Sequence, residues 1–573
     1  MDAFFTALSQ VDSTYIYVYQ AIVRYAVPIL SLLLLFRAVR PMLTFRREPE
    51  IWAWLCLPGD KKLPITHWES IIGRSKRSDV VVELPTISRN HAVLIRYDDG
   101  SWSITDTGSK DGVFVNGKRV RICAIEPEDV ISIGGVEMRL QPISRKQELK
   151  LAQLRTKATN SAYSFANVLL LTLVQALICF AYLLAMKGNH GSQILWGFGG
   201  ITVCQWLLLI FYLFIRKPSF EVETLAFFLC TLGMAAISAT KPGETIKQLI
   251  ALLLGLSVFL SAGWVMRDLE RVKKMRYTAA VAGLILLLVA LIFGTEYHGA
   301  KNWIIIGSLS IQPSELSKVC FVFIGAATMD RLVNKRNLIL FILYTVAVCG
   351  CLALMNDFGT ALIFFTAFLL IAYLRSGSFG TLALACTALG FAGVTALQIA
   401  PHAMRRFTTW RHIWEHPLDA GYQQTRSLMC MASGGLFGLG AGKGWMKNVF
   451  ASDSDIVIAT ACEEWGLLMC AMAVICVIAL GIFALRSAAT ARSSFYTIAS
   501  CTAAGILLVQ AIFNALGTVD VLPLTGVTFP FLSNGGSSMI CAWGMLAFVK
   551  AADTRQNASF AVRQSKEGRD EDE

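Results

Sequence analysis

Apolar runs close to the twenty residues needed to cross about 30 Å of hydrocarbon recur along the chain, first from Tyr15 to Phe36 and then repeatedly between residues 164 and 550. Short polar turns separate them. In lipid every backbone amide must find its partner within the segment, so these runs are helices. Hydropathy counts about thirteen spans. The first run has no basic stretch ahead of it and no small-residue cleavage site after it, which predicts a retained membrane anchor over residues 1–45. Behind the anchor the pattern changes. Residues 65–141 hold short alternating runs, among them Val80–Val82, Ala92–Arg96, Trp102–Thr105, Val113–Val115 and Val130–Ile133, which predict a β-sandwich placed over residues 60–142. Asn116-Gly117 between two such runs predicts a two-residue hairpin turn, because both positions need positive φ. A charged, helix-prone linker over 143–160 then leads to a pair of membrane helices over 161–217. The main membrane body over 218–553 and a disordered tail over 554–573 complete the chain.

Composition sharpens this picture. Over 573 residues the chain is 55% apolar and only 16% charged, far from the mix of a soluble globular protein. The fifty-one Lys and Arg against 39 Asp and Glu give a net charge of +12, which in a soluble protein would suggest nucleic acid. Location argues otherwise. Basic residues gather at Arg37, Arg40, Arg46 and Arg47, at Arg216 and Lys217, from Arg267 to Arg276, at Arg331, Lys335 and Arg336, and at Arg486 and Arg492. These clusters fall at alternate membrane exits, the positive-inside pattern. It predicts a multi-pass protein of the cytoplasmic membrane with the N-terminus outside, residues 37–163 and the tail inside, and no nucleic-acid partner. The fifteen cysteines show no metal-ligand spacing and read as core residues.

Ionisable residues inside or beside spans are costly and mark candidate chemistry. Glu315 and Lys318 share one helix face at i,i+3 spacing, and their structural alternative is an ion pair closing helix packing. Asp357 sits in a short turn before Gly359 and can equally be a helix cap. A polar segment from about 400 to 455 carries Arg405, Arg406, Arg411, His412, Glu415, Asp419 and Asp455, and a segment this long is uncommon unless functional. Glu463 and Glu464 follow Asp455 on the next helix and are expected to face the outer surface or a cavity.

In the sandwich region, Gly73-Arg74, Ser88-Arg89-Asn90-His91, Gly108-Ser109-Lys110-Asp111-Gly112 and Asn116-Gly117 closely resemble the motif series of forkhead-associated (FHA) domains. Such domains read phosphothreonine peptides. The resemblance assigns Arg74 and Ser88 to the phosphate, with Arg89 and Lys110 in support and His91 as a buttress of the Ser88 loop. An Arg guanidinium and a hydroxyl suit a phosphate dianion through charge-assisted hydrogen bonds. Asp111 departs from the pattern, which has Asn there, and a carboxylate accepts but cannot donate. A docking sandwich without phosphate recognition is the alternative.

In the membrane body, Gly299-Ala300-Lys301-Asn302-Trp303, Gln312-Pro313-Ser314-Glu315 with Lys318, Asp357 through Ala361, and Arg406 with Pro417 and Gly421-Tyr422-Gln423 follow one another in order. Asp455 with Glu463-Glu464-Trp465-Gly466, and Pro530 through Ser538, complete the series. Over residues 220–550 or so this series resembles that of the SEDS family, whose members include FtsW, RodA and SpoVE. Asn534 stands where the family has Tyr. The resemblance implies a polytopic α-helical fold with a ten-helix SEDS core beside a small cytoplasmic all-β FHA-type sandwich. It further implies a peptidoglycan glycosyltransferase that polymerises lipid II, an undecaprenyl-diphosphate-linked disaccharide pentapeptide, on the outer membrane face during division, elongation or sporulation.

The implied partners are lipid II, the undecaprenyl-diphosphate glycan, a class B penicillin-binding protein and a phosphothreonine protein from a Ser/Thr kinase pathway. Asp455 is implied as the base. Arg406 and Lys318 are implied to hold diphosphate or loop structure, with Glu315, Asp357 and Lys301 on the substrate side, although ion-pair and cap readings stay open for Glu315, Lys318 and Asp357. A divalent cation, Mg or Mn, at the diphosphate belongs to the same implication. The competing functions are a lipid II translocase and a non-catalytic phospho-sensing scaffold.

Overall fold

The computed structural model describes residues 8–560 apart from 9, 45–50, 60, 77, 98–99, 145, 148–149, 151–156, 298–299, 308, 330–334, 377–378, 400 and 492. Gly299, Arg46, Arg47, Arg331, Arg492, half of the linker and the tail from 561 therefore lie outside the described residues.

Eleven strands form the sandwich: β1 (Ala53–Cys56), β2 (Lys62–Ile65), β3 (Glu69–Gly73), β4 (Val80–Val81), β5 (Ala92–Arg96), β6 (Trp102–Asp106), β7 (Val113–Val115), β8 (Lys118–Val120), β9 (Ile122–Ile125), β10 (Val130–Ile133) and β11 (Val136–Pro142). One sheet has the order β2-β1-β11-β10-β7-β8 and the other β4-β3-β5-β6-β9. Leu55, Ile65, Ile72, Leu94, Ile104, Val113, Ile131 and Leu140 fill the layer between them. The domain begins at Ala53, earlier than residue 60, because β1 pairs with both β2 and β11, placing Ala53 opposite Ile65 and Pro142. Its hairpin β7–β8 turns through Asn116 at φ 50° and Gly117 at φ 77°, the positive pair that Asn-Gly supplies most cheaply.

The helices are α1 (Ser13–Thr44), α2 (Ser161–Ala185), α3 (Gly191–Phe214), α4 (Glu221–Thr240), α5 (Thr245–Met266), α6 (Leu269–Phe293), α7 (Pro313–Met329), α8 (Lys335–Leu354), α9 (Phe358–Ser376), α10 (Phe379–Ile399), α11 (Pro401–Thr409), α12 (Tyr422–Gly434), α13 (Val457–Ala488), α14 (Ser494–Thr518) and α15 (Gly536–Ala551). Among the described residues, ten helices are long and apolar enough to cross a membrane. The segment from 400 to 455 is not a plain loop, since it contains α11 and α12. The motif beginning at Ala300 also folds, into a three-stranded sheet of β12 (Thr295–Tyr297), β13 (Ala300–Ile306) and β14 (Leu309–Ile311).

Helix α4 is buried along its length and forms the axis of the bundle. The additional helices are fastened to it by polar contacts. Gln175 on α2 donates to Gln205 on α3 at 3.1 Å and to Thr231 on α4 at 3.0 Å, and such amides are satisfied in lipid only by one another. At one end of the bundle Glu221 and Glu223 meet Lys550 and Arg555. Lys550 Nζ lies 3.2 Å from Glu223, Arg555 lies 3.2 Å from Glu221 and 2.8 Å from Asp553, and Tyr212 donates to Glu223 at 2.7 Å. Residues 554–560, expected as the start of a disordered tail, are therefore ordered. Arg555 is buried in this ionic network, and Phe560 packs on Tyr212 and Phe259. The same end receives the sandwich, where Ser494 at the start of α14 donates to Glu69 of β3 at 2.7 Å. Asp455, immediately before α13, stands at the other end.

Candidate functional site

Five successive carbonyls define the turn that presents Asp455. Ala451, at φ 55°, accepts from the amides of Ser454, Asp455 and Ile456 at 3.1–3.3 Å. The Ser452 carbonyl takes the Thr460 hydroxyl at 2.7 Å and the Asp453 carbonyl takes the Asn534 amide at 2.8 Å. The Ser454 carbonyl takes the Ser533 hydroxyl at 2.6 Å, and the Asp455 carbonyl takes the Asn514 side-chain amide at 2.8 Å. With all five carbonyls paired, the turn has little freedom. Asp453 is buried and engaged by Lys241 at 3.1 Å and Asn534 at 2.7 Å. No described residue forms an ion pair with Asp455, which is half-buried.

Gly526 supplies the floor. At φ +71° it adopts the left-handed region, and a Cβ there would lie 3.4 Å from Asp455 Oδ2 and 3.8 Å from Arg406 Nη1. The carboxylate and the guanidinium thus flank one glycine. Arg406, on α11, is exposed and donates to the Thr525 carbonyl at 3.0 Å. Burial pushes the Asp455 carboxyl up to about 6, with Asp453 adding to the rise, against a downward pull from the Ser454 hydrogen bond and Arg406.

The other expected residues occupy neighbouring ground. Asp357 caps α9: its Oδ1 accepts from the Thr360 amide at 3.0 Å, while Oδ2 accepts from Asn302 at 2.6 Å and Gln312 at 3.4 Å. Glu315 and Lys318 form a buried ion pair at 2.7 Å. Gly359 abuts the Thr525 carbonyl, where a Cβ would come within 3.0 Å, so the Asp357 turn packs against the segment that carries Gly526. Lys301 is exposed on β13, and its backbone amide donates to the Met355 carbonyl at 2.9 Å.

Glu463 and Glu464 are buried and do not face a surface or cavity. Glu463 accepts from the amides of Trp445 and Met446, both at 2.9 Å, and Glu464 from those of Gly442 and Gly444, both at 3.1 Å, and from the Tyr182 hydroxyl at 2.6 Å. The segment after α12 folds back over them. It does so because Gly466, at φ 87°, lets the Leu436 carbonyl approach where any Cβ would clash at 2.2 Å. Asn514 and Tyr182 were missed in the sequence; each is a polar group within an otherwise apolar run.

Among the described residues no group of three or more His, Cys, Asp or Glu side chains is placed to hold a metal ion, and Asp453 is already held by Lys241 and Asn534.

At the far end of the sandwich, a recess of about 860 Å³ is lined by Arg74, Ser88, Arg89, Asn90, Thr107, Lys110 and Asp111. His91 is buried and organises it: its Nδ1 accepts from the Ser88 amide at 3.1 Å, which leaves Nε2 to donate to the Gly112 carbonyl at 3.0 Å. The Lys110 amide donates to Ser88 Oγ at 3.1 Å, and the Arg74 amide to the Ser88 carbonyl at 3.0 Å. Strand β3 runs from Glu69, which meets Ser494 of α14, to Gly73, next to Arg74 of the recess, so the contact with the bundle and the recess lie at opposite ends of that strand.

These features define a multi-pass helical membrane protein with an acid–guanidinium site at one end and a β-sandwich binding module at the other. The family model for FtsW, RodA and SpoVE, described as "Cell cycle protein", matches residues 224–558, and an FHA domain model matches residues 70–134. The chain belongs to the FtsW/RodA/SpoVE family and carries an FHA domain. It is 29% identical over 322 residues to the peptidoglycan glycosyltransferase RodA of Mycobacterium tuberculosis, covering 53% of this chain and 69% of that one. To the probable peptidoglycan glycosyltransferase FtsW of Nitrosococcus halophilus it is 31% identical over 332 residues, covering 56% and 85%. A solved structure described as "Structural coordination of polymerization and crosslinking by a peptidoglycan synthase complex" superposes with TM-score 0.50 at 25% identity, over 58% of this chain and 96% of that one.

Proposed function

We propose that the chain polymerises lipid II into glycan strands on the outer face of the cytoplasmic membrane, beside a class B penicillin-binding protein. The observation that carries this reading is the Asp455 carboxylate, in a turn held through its carbonyls and with no ion pair among the described residues, beside Arg406 and over a side-chain-free Gly526. The acceptor sugar's 4-hydroxyl attacks the anomeric carbon of the growing chain. Asp455 takes the hydroxyl proton, the bond from that carbon to the lipid diphosphate breaks, and Arg406 balances the charge on the departing diphosphate. One displacement of this kind inverts the anomeric configuration. A divalent ion carried on the diphosphate would add to that charge balance. The basic clusters at alternate exits support the orientation, with sandwich and C-terminus inside and Asp455 outside.

The test is labelled lipid II supplied to the purified, membrane-reconstituted protein with its penicillin-binding partner. Long glycan chains are expected. Movement of label between leaflets with no polymer would replace this reading by translocation. Because the base must be ionised, the rate is expected to rise with pH through about 6, where burial has brought the carboxyl, and to be lost below it. A rate flat from pH 5 to pH 8 would argue against Asp455 as the titrating group.

For the FHA domain, the three cations of the recess and the Ser88 hydroxyl support recognition of phosphothreonine on a protein of a Ser/Thr kinase pathway. A charge-assisted hydrogen bond is worth about 1.5–3 kcal/mol. Arg74→Ala in the full chain is therefore expected to weaken a phosphothreonine peptide at least tenfold in fluorescence anisotropy, leaving the unphosphorylated peptide unaffected. Equal binding of both peptides by the parent protein would leave only a docking role.

A further inference from the structure

Asn514 lies on α14, four residues before its end, and is buried. Its side-chain nitrogen donates both hydrogens, one to the Asp455 carbonyl at 2.8 Å and one to the Val527 carbonyl at 2.9 Å. The amide orientation is dictated, since both neighbours are carbonyls that can only accept. Its own Oδ1 has no partner among the described residues. A buried acceptor left unpaired is costly, so the two donations account for an amide at this position.

The two carbonyls belong to different segments. One is the backbone of the reacting carboxylate. The other follows Gly526, the residue that separates that carboxylate from Arg406. One amide thus fixes the spacing between base, floor and guanidinium, while Ser533 and Asn534 hold the two preceding carbonyls of the turn.

We propose that Asn514 is a positioning residue for the transfer reaction, setting Asp455 against Gly526 and Arg406 by bridging the Asp455 and Val527 carbonyls. The inference rests on the assignment of Asp455 as base. Asn514 touches neither substrate nor reacting atoms, and acts through the backbone it joins. Small misplacement of a base costs rate far more than binding.

The experiment compares wild type, Asn514→Leu, Asn514→Ser, Asp455→Asn and the double variant Asn514→Leu/Asp455→Asn. All are full-length and reconstituted with the partner, and lipid II polymerisation is measured from pH 5 to pH 8. Leucine matches the volume without donors, and serine keeps one donor should leucine fail to fold. Asn514→Leu is expected to lower kcat at least tenfold, leave KM for lipid II within twofold, and move the midpoint of the acid limb. Asn514→Ser should fall between it and wild type. In the double variant the leucine should add no further loss, because residues acting through one group are not additive. A full-rate Asn514→Leu, or a loss with unchanged pH midpoint that multiplies with Asp455→Asn, would overturn the proposal and leave a packing role. If leucine does not fold, the same criteria pass to Asn514→Ser. An unimpaired Asp455→Asn would overturn the base assignment, and this inference with it.

Discussion

Asp455→Asn is expected to lower lipid II polymerisation by on the order of 10²–10⁴-fold, the range that a positioned general base contributes. Asparagine keeps the shape and can still accept a hydrogen bond, but it cannot take the 4-hydroxyl proton near neutral pH. Stability should hardly change. The turn is held through its carbonyls, which the substitution leaves in place, and no described residue forms an ion pair with the carboxylate that would be lost. The measurement is a glycan ladder from labelled lipid II, alongside thermal unfolding of the same preparation. A normal ladder from a normally folded variant would move the base elsewhere. Loss of both ladder and fold would show the residue to be structural.

Lys550→Met is expected to have the largest effect on stability. Lys550 is fully buried against Glu223, donates to the Ser219 carbonyl at 2.9 Å, and belongs to the network that includes Arg555, Asp553 and Glu221. Removing one partner of a buried pair leaves an uncompensated charge, at a cost of about 3–5 kcal/mol. Replacing both, as in Glu223→Gln with Lys550→Met, should recover much of that loss. The check is thermal unfolding in detergent for the two single variants and the double. If the double variant is destabilised by the sum of the singles, the two side chains are not coupled and the pair is not what holds this end together. The same network secures residues 554–560, so Lys550→Met should also expose them to proteolysis.

The main features of the sandwich were legible because they depend on local rules. Alternation gave β5 and β10 at their observed bounds and β6 to within a residue, and Asn116-Gly117 gave the hairpin through the φ requirement of a two-residue turn. Strands β1 and β2 were not legible, since Ala53–Cys56 acquires its role only by pairing with β11, some eighty residues later. In the membrane body the motif around Asp455 could be read, and so could the cap and ion-pair alternatives for Asp357, Glu315 and Lys318. Glu463 and Glu464, expected to face the outer surface or a cavity, are buried instead. Nothing adjacent in the chain announces that the amides of residues 442–446 return to cover them.

By itself, the sequence determined where the chain is apolar enough for lipid, where it folds as a sandwich, and which acidic and basic residues stand at the ends of spans. Those properties follow from composition over windows of a few to about twenty residues. Only the tertiary structure decided which ends meet: Lys550 with Glu223, 327 residues apart, Asn514 with the Asp455 and Val527 carbonyls, and Arg406 with Gly526. Periodicity tells a helix which of its faces is apolar and leaves open which neighbour that face will touch. The partners of buried polar groups are fixed when the helices pack and every donor and acceptor removed from water must be matched.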